Sequence, residues 1–183
     1  MNRRWMLALG ATGLLVAGAA LAAQSESKKA AQPTQTMPAG KAGATIEGRS
    51  GSSLTGAAEF MMHGTQMMIT VSVKGAVPGT HAVHIHEKGD CSAPDATSAG
   101  GHFNPGGHMH GAPDAKEHHA GDLGNMTVGA DGSGSLMIQS SELSLEGSNS
   151  ILGRAIIMHE KSDDFVTQPT GNAGGRIGCG VIK

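Results

Sequence analysis

Short stretches of β-favouring residues, separated by glycine-rich turns, run through most of this 183-residue chain. We predict eight strands, near residues 41–48, 54–61, 66–73, 80–86, 122–128, 133–139, 152–159 and 176–182. Turn sequences such as HGT, AVPG and GADGSG stand between them, and no segment shows a convincing helical period. The 29 glycines and the scarcity of aromatic residues favour the same class. The pattern therefore predicts an all-β fold, an eight-stranded antiparallel sandwich or barrel.

The N-terminal part of the chain has a different character. Two arginines precede an apolar stretch that ends in the small-residue sequence ALA, which is typical of an export signal cleaved after Ala22. An uncleaved membrane anchor is the alternative, and the abundance of small residues disfavours it. The next segment is polar and contains proline, as in a disordered linker. We expect a signal peptide at 1–22, a linker at 23–40 and a folded domain at 41–183.

Charge and composition narrow the possible functions. The formal net charge of −2 provides no broad basic surface, so a nucleic-acid partner is not expected. After signal cleavage, no stable membrane association is expected either. Ten histidines are many for this length and raise the hypothesis of metal binding. An exported chain meets an oxidising compartment, so Cys91 and Cys179 are expected to pair, with two free thiols as the less favoured alternative.

Two long connections interrupt the regular spacing of the strands. Residues 87–121 are dense in Gly, His, Pro and Asp and hold five histidines, and residues 160–175 form a second long loop. Structureless loops of this length are usually functional or disordered. We expect the first loop to be ordered by metal.

The stretch THAVHIHEKGDC, residues 80–91, begins a metal site by strand geometry. His84 and His86 are two apart in a predicted strand, so both imidazoles point to one face, whereas His81 has the opposite parity and is expected to be structural. Further donors are available along the chain: His102, His108, His110, His118, His119, Asp122 and His159. Imidazole and carboxylate ligands without thiolate suit zinc or copper. These donors exceed the needs of one tetrahedral ion, but spacing alone does not choose between neighbouring histidines.

Four segments carry a resemblance to a known family: HAVHIHEKGDC, SAGGHFNPGGHMHGAPDAKEHHAGDLGN, GRAIIMHEKSDD and GNAGGRIGCGVI. In order and content they resemble the copper/zinc superoxide dismutases, specifically the bacterial secreted type. The resemblance extends from about Lys41 to Lys183. It implies a Greek-key β-sandwich or barrel with two long functional loops.

The resemblance also implies roles for individual residues. By position, His84, His86, His102 and His159 correspond to copper ligands, and His102, His110, His119 and Asp122 correspond to zinc ligands. His102 then corresponds to the histidine that bridges the two ions. Asp163 corresponds to a carboxylate connecting a zinc-side and a copper-side histidine, here His110 and His84. Arg176 corresponds to the arginine beside the open copper position, and the two cysteines correspond to the family disulfide.

The implied activity is conversion of superoxide to dioxygen and hydrogen peroxide, with one redox-cycling copper and one structural zinc per subunit. Arg176 would attract the superoxide anion. The alternative is a non-catalytic protein that binds or buffers copper and zinc on the same fold. The complete copper set and Arg176 favour the enzyme. The expected compartment is the bacterial periplasm, and the expected assembly is a monomer or a homodimer.

Some candidate residues lie outside this resemblance. His108 and His118 are expected to be exposed loop histidines. In FMMHGTQMM, alternation directs one methionine of each pair, Met61–Met62 and Met67–Met68, into the core. The outward pair together with His63 forms a hypothetical soft site for cuprous copper.

Overall fold

The computed structural model describes residues 40–183, and the strands within this range are close to the sequence expectation. The strands are β1 (Lys41–Gly48), β2 (Thr55–His63), β3 (Gln66–Lys74), β4 (Gly79–His86), β5 (Asp122–Val128), β6 (Gly134–Ser140), β7 (Ala155–His159) and β8 (Arg176–Val181). Single turns of 3₁₀ helix occur at Thr97–Ala99 and Gly147–Asn149. The predicted signal peptide, and the predicted linker apart from Gly40, lie outside the described residues. Within the described range, no helix has the length and apolar character needed to cross a membrane.

The eight strands close into an antiparallel barrel in the order β1-β2-β3-β6-β5-β4-β7-β8. Neighbours such as β3 with β6 and β4 with β7 are not consecutive in the chain, so residues 75–78 and 141–154 connect strands that are not adjacent in the barrel. The predicted all-β, eight-stranded antiparallel fold is confirmed. The other boundaries differ by at most two residues, but the strand predicted at 152–159 begins only at Ala155. Leu152 and Gly153 instead form a turn, in which the Arg154 amide donates to the carbonyl of Ile151 at 3.2 Å.

Aliphatic side chains fill the barrel, one from every second position of each strand. The fully buried set includes Ile46, Leu54, Phe60, Met67, Ile69, Ile85, Met126, Ile156 and Met158. Each such side chain stabilises the fold by roughly 1.5–3 kcal/mol relative to an exposed one. Small residues are needed where strands approach closely, since a Cβ on Gly180 would lie 2.5 Å from the carbonyl oxygen of Thr45.

Strand β4 is buried on both faces from His81 to His86, which is unusual for an antiparallel barrel. Val83 and Ile85 belong to the core. His84 and His86 point away from the core but are covered by the long connections. The cover is hydrogen-bonded to the strand. The amide of Phe103 donates to the carbonyl of Ile85, and the amide of Ile85 donates to the carbonyl of Gly121, both at 2.8 Å. The fold thus creates a second, polar interior on the outside of the barrel wall.

The first long connection is also held to the end of the chain by a disulfide. Cys91 is bonded to Cys179 of β8, and their Cα atoms are 5.9 Å apart. Cys179 is buried in a small second apolar cluster with Ala96, Ala99, Ala155 and Ile157. This cluster fixes the start of the connection against β7 and β8, next to the histidines of β4.

Candidate metal centre

Four buried histidines converge at the covered face of β4. His84, His86, His102 and His159 offer ring nitrogens that all lie within 4.8 Å of one another. Strand geometry explains the first two, since positions two apart share a face. His159 ends the neighbouring strand β7, and His102 is brought in by a β-bridge between His86 and the loop. We call this group the four-histidine cluster.

A second group of donors lies directly beside the first and shares one residue with it. Its members are His102, His110, His119 and Asp122, with ligand atoms again within 4.8 Å of one another. Asp122 begins β5, and its carboxylate receives the backbone N–H groups of His119 at 2.8 Å and Gly111 at 3.2 Å. The loop is therefore folded around this carboxylate. We call this group the three-histidine–aspartate cluster.

Three ring nitrogens inside the two clusters lack a hydrogen-bond partner although they are fully buried. They are Nδ1 of His84, Nε2 of His102 and Nδ1 of His110, the last of which lies 3.0 Å from Oδ2 of Asp122 without hydrogen-bond geometry. An unpaired buried polar atom costs roughly 1–3 kcal/mol unless a ligand satisfies it. Two further pairs of nitrogens face each other at 3.4 Å, His86 Nε2 with His159 Nε2 and His119 Nδ1 with His102 Nδ1. Nitrogens arranged in this way fit metal ions better than they fit each other.

His102 presents one nitrogen to each cluster. Its Nδ1 lies 2.8 Å from Oδ1 of Asp122 and 3.4 Å from Nδ1 of His119. Its Nε2 is the unpaired atom on the side of the four-histidine cluster, where the rings of His84 and His102 are 4.0 Å apart between centroids. A single imidazole can therefore contact two ions.

Burial keeps the histidines in the neutral form that metal binding requires. It lowers the pKa of His102 to about 4, with a smaller opposing effect from the hydrogen bond to Asp122. Burial also lowers the pKa of His86 and of His159, and the neighbouring histidines add to the effect. For Asp122, burial favours the protonated form, but the hydrogen bonds from His102 and His119 outweigh it and lower the pKa. The three-histidine–aspartate cluster thus holds an ionised carboxylate beside the neutral ring of His102.

Asp163 joins the two clusters from behind. Its Oδ2 lies 2.7 Å from Nε2 of His84, and its Oδ1 lies 2.9 Å from Nε2 of His110. Burial opposes ionisation of this carboxyl, but hydrogen bonds from the two histidines lower its pKa. Gly171 is required beside it, since a Cβ there would overlap the Asp163 carboxylate. Asp164, by contrast, is exposed and accepts turn hydrogen bonds from Val166 and Thr167, as expected for a turn aspartate.

Arg176 lies at the start of β8, half-buried beside the four-histidine cluster. Its guanidinium donates to the carbonyl of Ala96 at 2.8 Å and to that of Gly100 at 2.7 Å. The Gly100 carbonyl is also 2.9 Å from Nδ1 of His86, so the cation and that imidazole share an acceptor. Burial lowers the pKa of Arg176, with an opposing effect from Asp95, and leaves it far above neutral.

The remaining histidines lie outside both clusters. His81 is buried and bonded to backbone, with Nδ1 2.9 Å from the carbonyl of His159 and Nε2 2.8 Å from that of Val77. His108 is exposed, as predicted, and pairs with Glu117 at 2.9 Å. His118 is half-buried and not exposed as predicted, and its Nδ1 lies 2.9 Å from the carbonyl oxygen of His119. Spacing alone did not choose between His108 and His110 or between His118 and His119. The structure places His110 and His119 in a cluster and their two neighbours outside it.

Sequence reasoning missed Gln168, which holds the two long connections together. Its Oε1 accepts the backbone N–H of His110 and its Nε2 donates to the carbonyl of His110, each at 2.8 Å. A single glutamine in a polar loop carries no signal of this role. The contact is visible only once both loops are in place.

The fold and these side chains define a β-barrel protein with two adjoining clusters able to hold metal ions. The family model "Copper/zinc superoxide dismutase (SODC)" matches residues 54–182. A crystal structure of the clock protein EA4 is also similar, with 36% sequence identity and a TM-score of 0.71. That match covers 78% of this chain and 93% of the other. The chain therefore belongs to the copper/zinc superoxide dismutase family.

Proposed function

We propose that this chain is a superoxide dismutase, converting two superoxide anions and two protons to dioxygen and hydrogen peroxide. The observation that carries the proposal is His102, whose two ring nitrogens face two different donor clusters. The four-histidine cluster suits copper, and the three-histidine–aspartate cluster suits zinc, because imidazole serves both ions and an added carboxylate favours zinc. When bound, copper supplies one-electron redox chemistry and zinc supplies fixed positive charge.

The chain's own residues have clear tasks in this reaction. Arg176 carries a positive charge next to the four-histidine cluster and attracts a small anion to it. Its two hydrogen bonds to loop carbonyls fix the direction of the guanidinium. His102 Nε2 has no protein partner, so it would hold a proton and release it to the product only when that nitrogen is not bound to copper. Asp163 holds the rings of His84 and His110 so that their Nδ1 atoms face the ions.

A second candidate function is binding or buffering of copper and zinc without catalysis. The similar structure is described as a clock protein and not as a dismutase, which favours keeping this candidate. Buffering requires the two clusters but has no use for a fixed cation beside them. The hydrogen-bonded Arg176 therefore supports the enzyme over the buffer.

Compartment, maturation and assembly are part of the same proposal. The chain is exported, with cleavage after Ala22, and works in the bacterial periplasm as a monomer or a homodimer. Residues 23–40 form a linker and residues 41–183 form the dismutase domain. The disulfide of the barrel supports an oxidising compartment.

The test is the activity of purified protein loaded with both metals. We expect superoxide removal well above that of free copper at equal concentration, and one copper and one zinc per chain by elemental analysis. Arg176→Ala is expected to bind both metals normally and to lose roughly tenfold or more in kcat/KM, since the cation acts on the substrate. A fully loaded wild-type protein without activity would leave the buffering function as the better account.

A further inference from the structure

The β2–β3 hairpin carries four methionines, and its register sorts them onto two faces. Met62 and Met67 are directly opposite each other, with Met67 fully buried and Met62 packed against the core. Met61 and Met68 form the adjacent cross-strand pair. Because successive side chains alternate, this pair points to the outside of the barrel, where both residues are half-buried. Two thioethers therefore stand side by side on the outer wall.

His63 adds a nitrogen donor to the same face. It lies two residues after Met61 on β2, opposite Gln66 and diagonal to Met68, and it is exposed. Directly opposed side chains have Cβ atoms about 4.5–5.5 Å apart, and diagonal neighbours lie at about 7–8 Å. Methionine has three rotatable bonds, so both sulfurs can turn toward one point within reach of the imidazole. No change of backbone is needed to bring the three donors together.

The surroundings favour a soft monovalent ion. Lys41 lies opposite Met61 on β1 and Gln139 lies opposite Met68 on β6, so this cross-strand row itself holds no carboxylate. The carboxylate on the same face of β2 is that of the exposed Glu59, two residues before Met61. Thioether and imidazole ligands without carboxylate select cuprous copper over zinc, calcium or magnesium. The exposed ammonium of Lys41 acts in the same direction, because its repulsion of a divalent ion is twice its repulsion of a monovalent one.

We propose that Met61, Met68 and His63 bind one cuprous ion on the outer wall of the barrel. The site is separate from the candidate metal centre: β2 and β4 have three strands between them in either direction around the barrel. A chain whose two histidine clusters are filled thus binds one further monovalent soft ion. This inference is independent of the proposed dismutase activity.

The first experiment titrates silver(I) into protein whose two clusters both hold zinc and no copper. Silver(I) is a soft monovalent ion that takes no part in copper redox chemistry. Methionine methyl groups labelled with carbon-13 report the contact by NMR. We expect the methyl signals of Met61 and Met68 to shift and to saturate at one silver ion per chain. Absence of shifts at these two residues, or an equal shift at the exposed Met109, would overturn the assignment.

The second experiment measures cuprous affinity of the fully metal-loaded protein by anaerobic competition with a chromogenic chelator. The double variant Met61→Leu/Met68→Leu keeps the apolar volume and is expected to weaken binding of the extra ion at least tenfold. Met109→Leu is the control, since it removes an exposed thioether from the first long connection, outside the hairpin. The control is expected to bind like the wild type, and all variants to keep full activity. Unchanged affinity in the double variant, or an equal loss in the control, would refute the site.

Discussion

At the residue scale, each imidazole of the centre is aimed by the bond that its other ring nitrogen makes. Nε2 of His84 and of His110 bind Asp163, which turns both Nδ1 atoms toward the clusters. Nδ1 of His86 lies 2.9 Å from the carbonyl of Gly100, which turns Nε2 inward instead. These partners fix the tautomer as well as the direction of each ring. The choice between the two nitrogens is therefore set by the folded loops.

Replacing His84 tests the division of donors between the two clusters. We expect His84→Ala to abolish dismutase activity, because the variant loses one of four donors on the copper side. Zinc binding should survive, since all members of the three-histidine–aspartate cluster remain. The zinc affinity should fall about tenfold, because Asp163 loses its contact with His84. Activity and zinc affinity by chelator competition are the measurements. His118→Ala is the control and should behave as wild type, whereas an active His84→Ala variant would show the copper assignment to be wrong.

At the element scale, β4 and the two long connections work as one unit. The strand presents Val83 and Ile85 to the core and His84 and His86 to the connections. Each connection contributes to the cover, the first through His102 and the second through Asp163. A strand covered in this way tolerates few substitutions. A change on one face removes apolar packing, and a change on the other face removes a candidate metal ligand.

Gln168 is expected to act as a positioning residue between the two connections. Gln168→Ala removes both hydrogen bonds to the backbone of His110, which costs about 1–3 kcal/mol of stability and loosens that ligand. We expect zinc affinity to fall by roughly 10-fold or more. Gln168→Glu keeps the acceptor for the His110 amide and should recover part of the affinity. Equal zinc affinity in wild type and Gln168→Ala would contradict this role.

At the scale of the whole molecule, the barrel stabilises the fold, whereas the metal-free centre destabilises it. The aliphatic core and the disulfide act in the same direction, and closing a loop with a separation of 88 residues contributes about 4–5 kcal/mol on the chain-entropy model. Without metals, the buried unpaired nitrogens and neutral histidines oppose folding. The fold must therefore be stable enough to hold an unfavourable polar interior until ions satisfy it.

The metal-free protein is expected to lose stability as the pH falls from about 7 to about 4. Unfolded histidines bind protons near pH 6.5, whereas burial lowers the pKa of folded His102 to about 4 and also lowers those of His86 and His159. The unfolded state thus binds more protons across this window, and His102 alone accounts for on the order of 3 kcal/mol. The lowered pKa values of Asp122 and Asp163 add a further loss only below about pH 4.

Urea unfolding of chelator-treated protein between pH 7 and pH 4 measures this dependence. The variant His102→Gln should show a shallower decline, because one of the buried histidines no longer takes part. A free energy of unfolding that stays constant across the window would contradict the assignment of neutral buried rings. Metal-loaded protein should decline more steeply, since bound ions hold the rings deprotonated while the unfolded chain still takes up protons.

Local sequence predicts the strands and the shared face of His84 and His86, because alternation and turn residues are short-range signals. It does not decide between His108 and His110, which differ by two positions in an irregular loop. That choice depends on Asp122 and Asp163, which approach from distant parts of the chain. The role of Gln168 depends on the contact between two loops, so no local sequence pattern predicts it. Tertiary contacts thus determine what spacing leaves open.

His102 and Asp163 each belong to both halves of the centre, and this imposes a reciprocity on metal uptake. Filling one half fixes a ring that the other half also uses, so binding of the first ion changes the affinity for the second. By thermodynamic linkage, whatever factor zinc adds to the affinity for copper, copper must return to zinc. The order in which the two ions bind therefore changes the intermediate state but not the total free energy of binding both ions.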